Sequence, residues 1–259
     1  MAWIVLREVP KERVQLDVTS FPVAGGFRGF QQVLHGYHHL RVLDAQHGRE
    51  HVCEVWLAAP GAAEVLQFSS RFGLRPDTAP EAPSLATLAA SGAMNAALID
   101  VLAAAPAQAL AWQRATSAID QSIDTLSLGG QLRDADADGG SDSAGASRLE
   151  AFLDAHGGDQ RRALREVQAA FARLVLREDP GAALRLTQLC QAHFHAGERR
   201  IRELPEYMSD FAETLAAMRT LQPSLRELPG AADGLSYLIE DLRDVGGDRL
   251  TKAASVLAS

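Results

Sequence analysis

The hydrophobic period of this chain changes once, and that change constrains the fold more than any other feature. Up to about residue 75 the apolar residues come in short runs: "WIVLREV" (Trp3 to Val9), "RVQLDV" (Arg13 to Val18), "HHLRVLDA" (His38 to Ala45), "EHVCEVWLA" (Glu50 to Ala58) and "EVLQFS" (Glu64 to Ser69). The turn formers Pro10, Gly25-Gly26, Gly48 and Pro60-Gly61 separate them. Strands of that length with that punctuation lead us to expect an antiparallel, sandwich-like β domain over residues 1–78. "PDTAPEAPS" (Pro76 to Ser84) then reads as a proline-rich hinge.

Beyond the hinge the chain becomes rich in Ala and Leu. "SLATLAASGAMNAALIDVLAAAP" (Ser84 to Pro106) and "AQALAWQRATSAIDQSIDTLSL" (Ala107 to Leu128) read as helices, so 79–128 is expected to be a helical extension. Pro106 separates the two or sits in the first turn of the second. "GGQLRDADADGGSDSAGAS" (129–147) has almost no apolar mass and reads as a flexible acidic, Gly- and Ser-containing linker.

From 148 to 259 the pattern is helical. Ser147 followed by Glu150 has the form of a capping box, with Gly157-Gly158 as the stop. Leu164, Val167, Phe171, Leu174 and Val175 make a helical stripe. Asp179-Pro180 reads as an N-cap and first helical residue. Pro205 opens a helix that stops before Pro223. Further helices are expected over about 232–242 and 248–258. The fold class is therefore α+β, an N-terminal β sandwich-like domain followed by an all-α bundle.

The densest chemistry is "GFRGFQQVLHGYHHL" (Gly26 to Leu40), which holds His35, His38 and His39. His35 and His38 have the His-x-x-His spacing of metal ligands, but zinc needs three or four convergent donors. On a strand His38 and His39 point to opposite faces, which predicts one packed and one exposed imidazole. His47 and His51 are four apart around a turn. A metal-dependent hydrolase built on His35, His38, His47 or His51 is the enzyme alternative. A small-ligand binding protein is a third reading.

His193 and His195 lie roughly 200° apart on a helix and diverge, so Phe194 is the core residue there. Asp134, Asp136, Asp138 and Gly139 open like a calcium loop, but position twelve is Gly145 and the closing carboxylate is missing. No P-loop, dinucleotide glycine loop, Gly-x-Ser-x-Gly, His-Glu-x-x-His or Cys-x-x-Cys occurs. The chain is read as a non-enzyme with no cofactor and no metal.

Composition narrows the partners. The net charge of −8 lacks the basic footprint that nucleic acid and anionic membranes require. The basic clusters "QRR" (160–162) and "GERRIR" (197–202) read as solvated helix faces. Cys53 and Cys190 are far apart, with apolar neighbours, and suit reduced thiols in the cytoplasm. No basic n-region precedes the first apolar run, and no apolar stretch reaches the ~20 residues of a membrane span.

The segment Val5 to Leu40 resembles the N-terminal domain of the Aar-two family of pre-mRNA splicing factors. That family opens with an apolar strand ending in Pro, then an Asp, an aromatic after Ser, Phe-x-Gly, Gly and His-Phe. Pro10, Asp17, Ser20, Phe21, Phe27, Gly29, Gly36 and His38 match in order. Leu34-His35 stands where the family has Pro-Pro, and His38-His39 where it has His-Phe. "EHVCEVWLAAPGAAEVLQFSSRFGL" and the helices from Leu164 to Leu225 follow the family's order with less specific motifs.

The resemblance implies a β domain and a helical domain joined by a linker, with no catalytic residues and these eight positions as structural markers. Eukaryotic members are assembly chaperones that bind the Prp-eight protein during U-five snRNP maturation. The Ala, Arg and Gly content is that of a high-GC genome and suggests a short bacterial-type homologue. For such a protein only the fold and a generic protein-interaction role transfer, with the partner unidentified. His38 is read as a structural histidine, hydrogen-bonded within the β domain.

Overall fold

A computed structural model describes residues 1–10, 13–23, 25–44, 48–126, 142–227 and 231–259. The chain divides into two compact units, Met1–Gln113 and Arg114–Ser259. The fold is α+β, with the strands in the first unit and a cluster of helices in the second.

The strands are β1 Ala2–Arg7, β2 Arg13–Leu16, β3 Thr19–Pro22, β4 Gly29–Val33, β5 Gly36–Asp44, β6 Arg49–Leu57, β7 Ala63–Ser69, β8 Gly73–Pro76 and β9 Leu98–Asp100. They form two sheets, ordered β8-β7-β1-β4-β9 and β3-β2-β5-β6. Ile4, Leu6, Phe30 and Leu66 of the first sheet share one buried cluster with Val14, Leu16, Leu40 and Val42 of the second. That cluster is the filling of a sandwich.

The four-stranded sheet is wholly antiparallel. The five-stranded one is mixed, because β1 pairs in parallel with β7 and β4 in parallel with β9. The chain passes back and forth between the sheets, so no hairpin joins β1 to β7 or β4 to β9, and each pair is parallel. Strand length and spacing report neither.

Both sheets carry packing on at least part of their outer faces. Val5 and Val65 pack with Ala82, Ala89 and Leu98 in a second cluster under helix α1 (Ala82–Ala90). This explains why "WIVL" is continuously apolar and does not alternate. On the other sheet, Tyr37 of β5 stacks on Trp112, whose indole N–H donates to the Tyr37 carbonyl at 2.9 Å.

The expected helix over 84–106 is interrupted. Helix α1 stops at Ala90, and Gly92 turns the chain at φ +82°. Leu98–Asp100 then extends as β9, and Asp100 N-caps the four-residue helix α2 (Val101–Ala104) through the Ala103 N–H. Composition marks this stretch as helical, and sheet pairing overrides it.

Pro106 occupies the first position of α3 (Pro106–Ala115), which ends well before the expected Leu128. Residues 116–126 are turns and irregular chain held against the second unit's own helices. The Gln168 carbonyl accepts the Ala118 N–H at 2.6 Å, and Arg173 donates to the carbonyls of Ile123 and Leu126.

The second unit continues with α4 Asp142–Ala155, α5 Gln160–Arg177, α6 Pro180–Phe194, α7 Gly197–Glu203, α8 Pro205–Leu221, α9 Ala231–Val245 and α10 Asp248–Ala258. Helix α4 begins five residues before Ser147, so Ser147 is not its cap. Of the expected linker, 142–147 are helical, and 129–141, with the calcium-like aspartates, lie outside the described residues. Asp179 caps α6 through the Gly181 N–H with Pro180 first in the helix, and Pro205 opens α8. On α5 the stripe is wider than expected: Leu164, Val167 and Phe171 are buried, Leu174 and Val175 are half-buried, and Leu176 closes the stripe.

Candidate functional site

Six of the eight motif residues cluster structurally around the β2–β3 hairpin and strands β4 and β5. Leu16 pairs with Thr19, so Asp17 and Val18 form a two-residue loop with Asp17 at φ +59°. The Asp17 carboxylate turns inward. One oxygen accepts the His39 backbone N–H at 2.9 Å, and the other lies 2.9 Å from His38 Nδ1. The Asp17 N–H donates to the His39 carbonyl at 2.7 Å.

His38 Nε2 lies 2.7 Å from the Leu34 carbonyl oxygen. Both ring nitrogens therefore face acceptors. A neutral imidazole has one N–H, so this arrangement selects the imidazolium. Burial alone would push the His38 pKa down, but the charge and hydrogen bond of Asp17 and the Leu34 carbonyl outweigh it and raise the pKa.

Four of the remaining motif residues, Phe21, Phe27, Gly29 and Gly36, shape the backbone and core. Phe21 and Phe27 each meet Phe30 edge to face, at 5.2 and 5.4 Å between centroids. Gly29 sits opposite Val5 at φ +131°, and a Cβ there would stand 2.0 Å from the Ile4 carbonyl oxygen. Gly36 opens β5 at φ +127°. Ser20 is exposed on β3, and Pro10 is half-buried after β1.

Among the described residues the histidines of the enzyme alternative do not converge. His38 is committed to Asp17 and Leu34. His35 is exposed beside Gln113, and His51 lies edge-on to Phe68. His47 lies outside the described residues. His38 and His39 are both buried, where strand alternation predicted one exposed ring; the sheet carrying them is packed on its inner face and on part of its outer one. Among the described residues no group of three His, Cys, Asp or Glu is placed to hold a metal.

A polar cluster in the second unit was not foreseen. Glu166 of α5 is buried and accepts from His156 at 2.8 Å and from Arg185 at 2.7 Å. Burial would raise its pKa, but His156 and Arg185 hold it below the usual carboxylate range. Nearby, His193 donates Nδ1–H to the Leu189 carbonyl and accepts the Tyr207 hydroxyl at Nε2, both at 2.7 Å. Its ring stacks 3.8 Å from Phe211. Burial pushes the His193 pKa down to about 4 and the Tyr207 pKa up. A Glu inside the Leu164–Val167 face of α5 was the available signal.

The thiols are unreactive in these surroundings. Burial raises Cys53 to about 11 and Cys190 to about 12. On α7 the basic cluster is solvated, with Arg199 and Arg202 exposed and paired to Glu203 and Glu198.

One surface feature stands apart. Phe72, in the β7–β8 turn, is 52% exposed. The guanidinium carbons of Arg71 and Arg75 lie 4.9 and 4.6 Å from its ring centroid. Neither arginine has an ion-pair partner among the described residues. The signal in the sequence is "RFGLR", an aromatic between arginines at a glycine turn.

No family model matches the chain, and no curated protein matches it. No helix among the described residues is long and apolar enough to cross a membrane.

Proposed function

We propose that this protein is a non-enzymatic protein-interaction factor of the assembly-chaperone kind, working in the cytoplasm. The observation that carries the reading is the Arg71–Phe72–Arg75 triplet. Scattered exposed apolar residues need no explanation. An aromatic held at a turn between two arginines that have no counter-ion among the described residues differs, because aromatics and Arg dominate the binding energy of protein interfaces. Its chemistry suits a partner offering an apolar pocket rimmed by carboxylates.

Two further observations support the reading. His38, the motif histidine of the sequence, is engaged in hydrogen bonds with Asp17 and Leu34. The eight positions that resemble the Aar-two family rest on the sequence, and most of them perform jobs of local folding, as expected for a family without catalytic residues. The Prp-eight protein is the partner in eukaryotic relatives. For this chain we propose the interaction role and a protein partner, and neither nucleic acid nor membrane.

The test is an affinity capture from the source cell with the intact protein and a Phe72→Ala/Arg75→Glu variant. Both positions are exposed, so the variant should keep its stability within ~0.5 kcal/mol. A partner retained by the natural protein and lost by the variant is the expected outcome. Retention of the same partners by both proteins, or no specific partner for either, would refute the proposal.

A further inference from the structure

We propose that the helical unit carries a binding site for a small apolar carboxylate, of the size of benzoate or a short fatty acid, in the cavity bordered by α6, α8 and α9. The cavity has a volume of about 170 Å³. Cys190, Phe194, Leu215, Leu225 and Leu235 give it an apolar lining. A purely apolar cavity of roughly 150 Å³ stays dry and takes up a single benzene ring. An acid with one ring or a few methylenes therefore fits the lining by size and polarity.

Among the described residues the charged groups lining the cavity are Arg219 and Arg226, and no carboxylate lines it. Neither arginine has an ion-pair partner among the described residues. Arg219 donates Nη1–H to the Leu257 carbonyl at 2.6 Å, which fixes the guanidinium, while its buried Nε has no acceptor among the described residues. Burial and the neighbouring Arg226 charge pull the Arg219 pKa down. Two cations and an unanswered N–H at an apolar cavity leave the site electrostatically incomplete.

A carboxylate completes it. Its two oxygens match the fork of a guanidinium, and its apolar body packs against Phe194 and the leucines. Inorganic anions would answer the arginines and leave the lining unfilled. Hydrocarbons would fill the lining and leave the arginines unanswered. The site is independent of the Phe72 surface, which belongs to the other unit, so either proposal can fail alone.

The experiment is calorimetric titration of the full chain with hexanoate and 4-fluorobenzoate, beside hexanamide and 4-fluorobenzamide. Each acid is expected to fill one site at least ~10-fold more tightly than its amide, the increment typical of a hydrogen bond to a charged group. Arg226→Gln should weaken the acids by a similar factor and leave the amides unchanged. Arg226 is exposed and has no hydrogen bond or ion pair among the described residues. Ala232→Trp, at an exposed lining position, should abolish binding of acids and amides alike. Equal affinity for acid and amide, no saturation by either acid below ~10 mM, or unchanged acid binding in both variants would overturn the proposal.

Discussion

Asp17 accepts two hydrogen bonds through its carboxylate and donates one through its backbone, all to His38 and His39. Replacing it with Asn keeps the shape but leaves a buried imidazolium without its counter-charge. Asp17→Asn should cost about 3–5 kcal/mol in urea unfolding, the range for breaking a buried ion pair. The pH dependence follows from the raised His38 pKa. The stabilisation is fully present below the unfolded value of ~6.5 and is lost as pH rises through the folded pKa. The variant should show a flatter pH profile in that window.

His193 acts with the opposite sign. Its folded pKa of about 4 means that the unfolded state takes up the proton first. Stability should fall by up to ~3 kcal/mol as pH drops from ~6.5 to 4. His193→Gln should remove that slope, read by urea unfolding at pH 7 and pH 5. Sequence alone singled out His38 by its motif place. It could not foresee a partner 21 residues earlier, nor the burial of His193, because both depend on long-range packing.

At the scale of elements, short β-branched runs and capped helices were legible because period and caps are local. Asp179-Pro180 and Pro205 mark helix starts where the structure has them. What misled was composition: "LAASGAMNAALIDVLAAA" is rich in Ala and Leu, yet Gly92 turns the chain and Leu98–Asp100 pairs with β4. The edge of a sheet supplies hydrogen bonds that propensities do not count.

Gly29 shows how tightly that sheet is built. It pairs with Val5 on one side and Leu98 on the other, with the Ile4 carbonyl where a side chain would begin. Gly29→Ala combines a disfavoured φ with a backbone clash and should cost about 3 kcal/mol or more in equilibrium unfolding. A change below ~0.5 kcal/mol, the range of ordinary surface substitutions, would show that the approach to β1 is looser.

For the whole molecule, the change of hydrophobic period separated strand-rich from helix-rich chain, but the compact units divide after Gln113 and not at the proline-rich segment. Helix α1 and Trp112 pack on the sheets, so helical sequence continues the first unit. The surface triplet at Phe72 was missed for a related reason: exposure of an aromatic is decided by the fold around it.

The non-enzymatic half of the proposal requires the Asp17–His38 pair to be part of the fold and not a reactive or metal-binding group. Long-range ¹H–¹⁵N correlation of the histidine rings in the intact protein at pH 7 tests this directly. The expected result is a His38 ring with both nitrogens protonated and slow to exchange. A His38 ring with one bare nitrogen at that pH, or one whose signal shifts stoichiometrically on adding zinc, would contradict it.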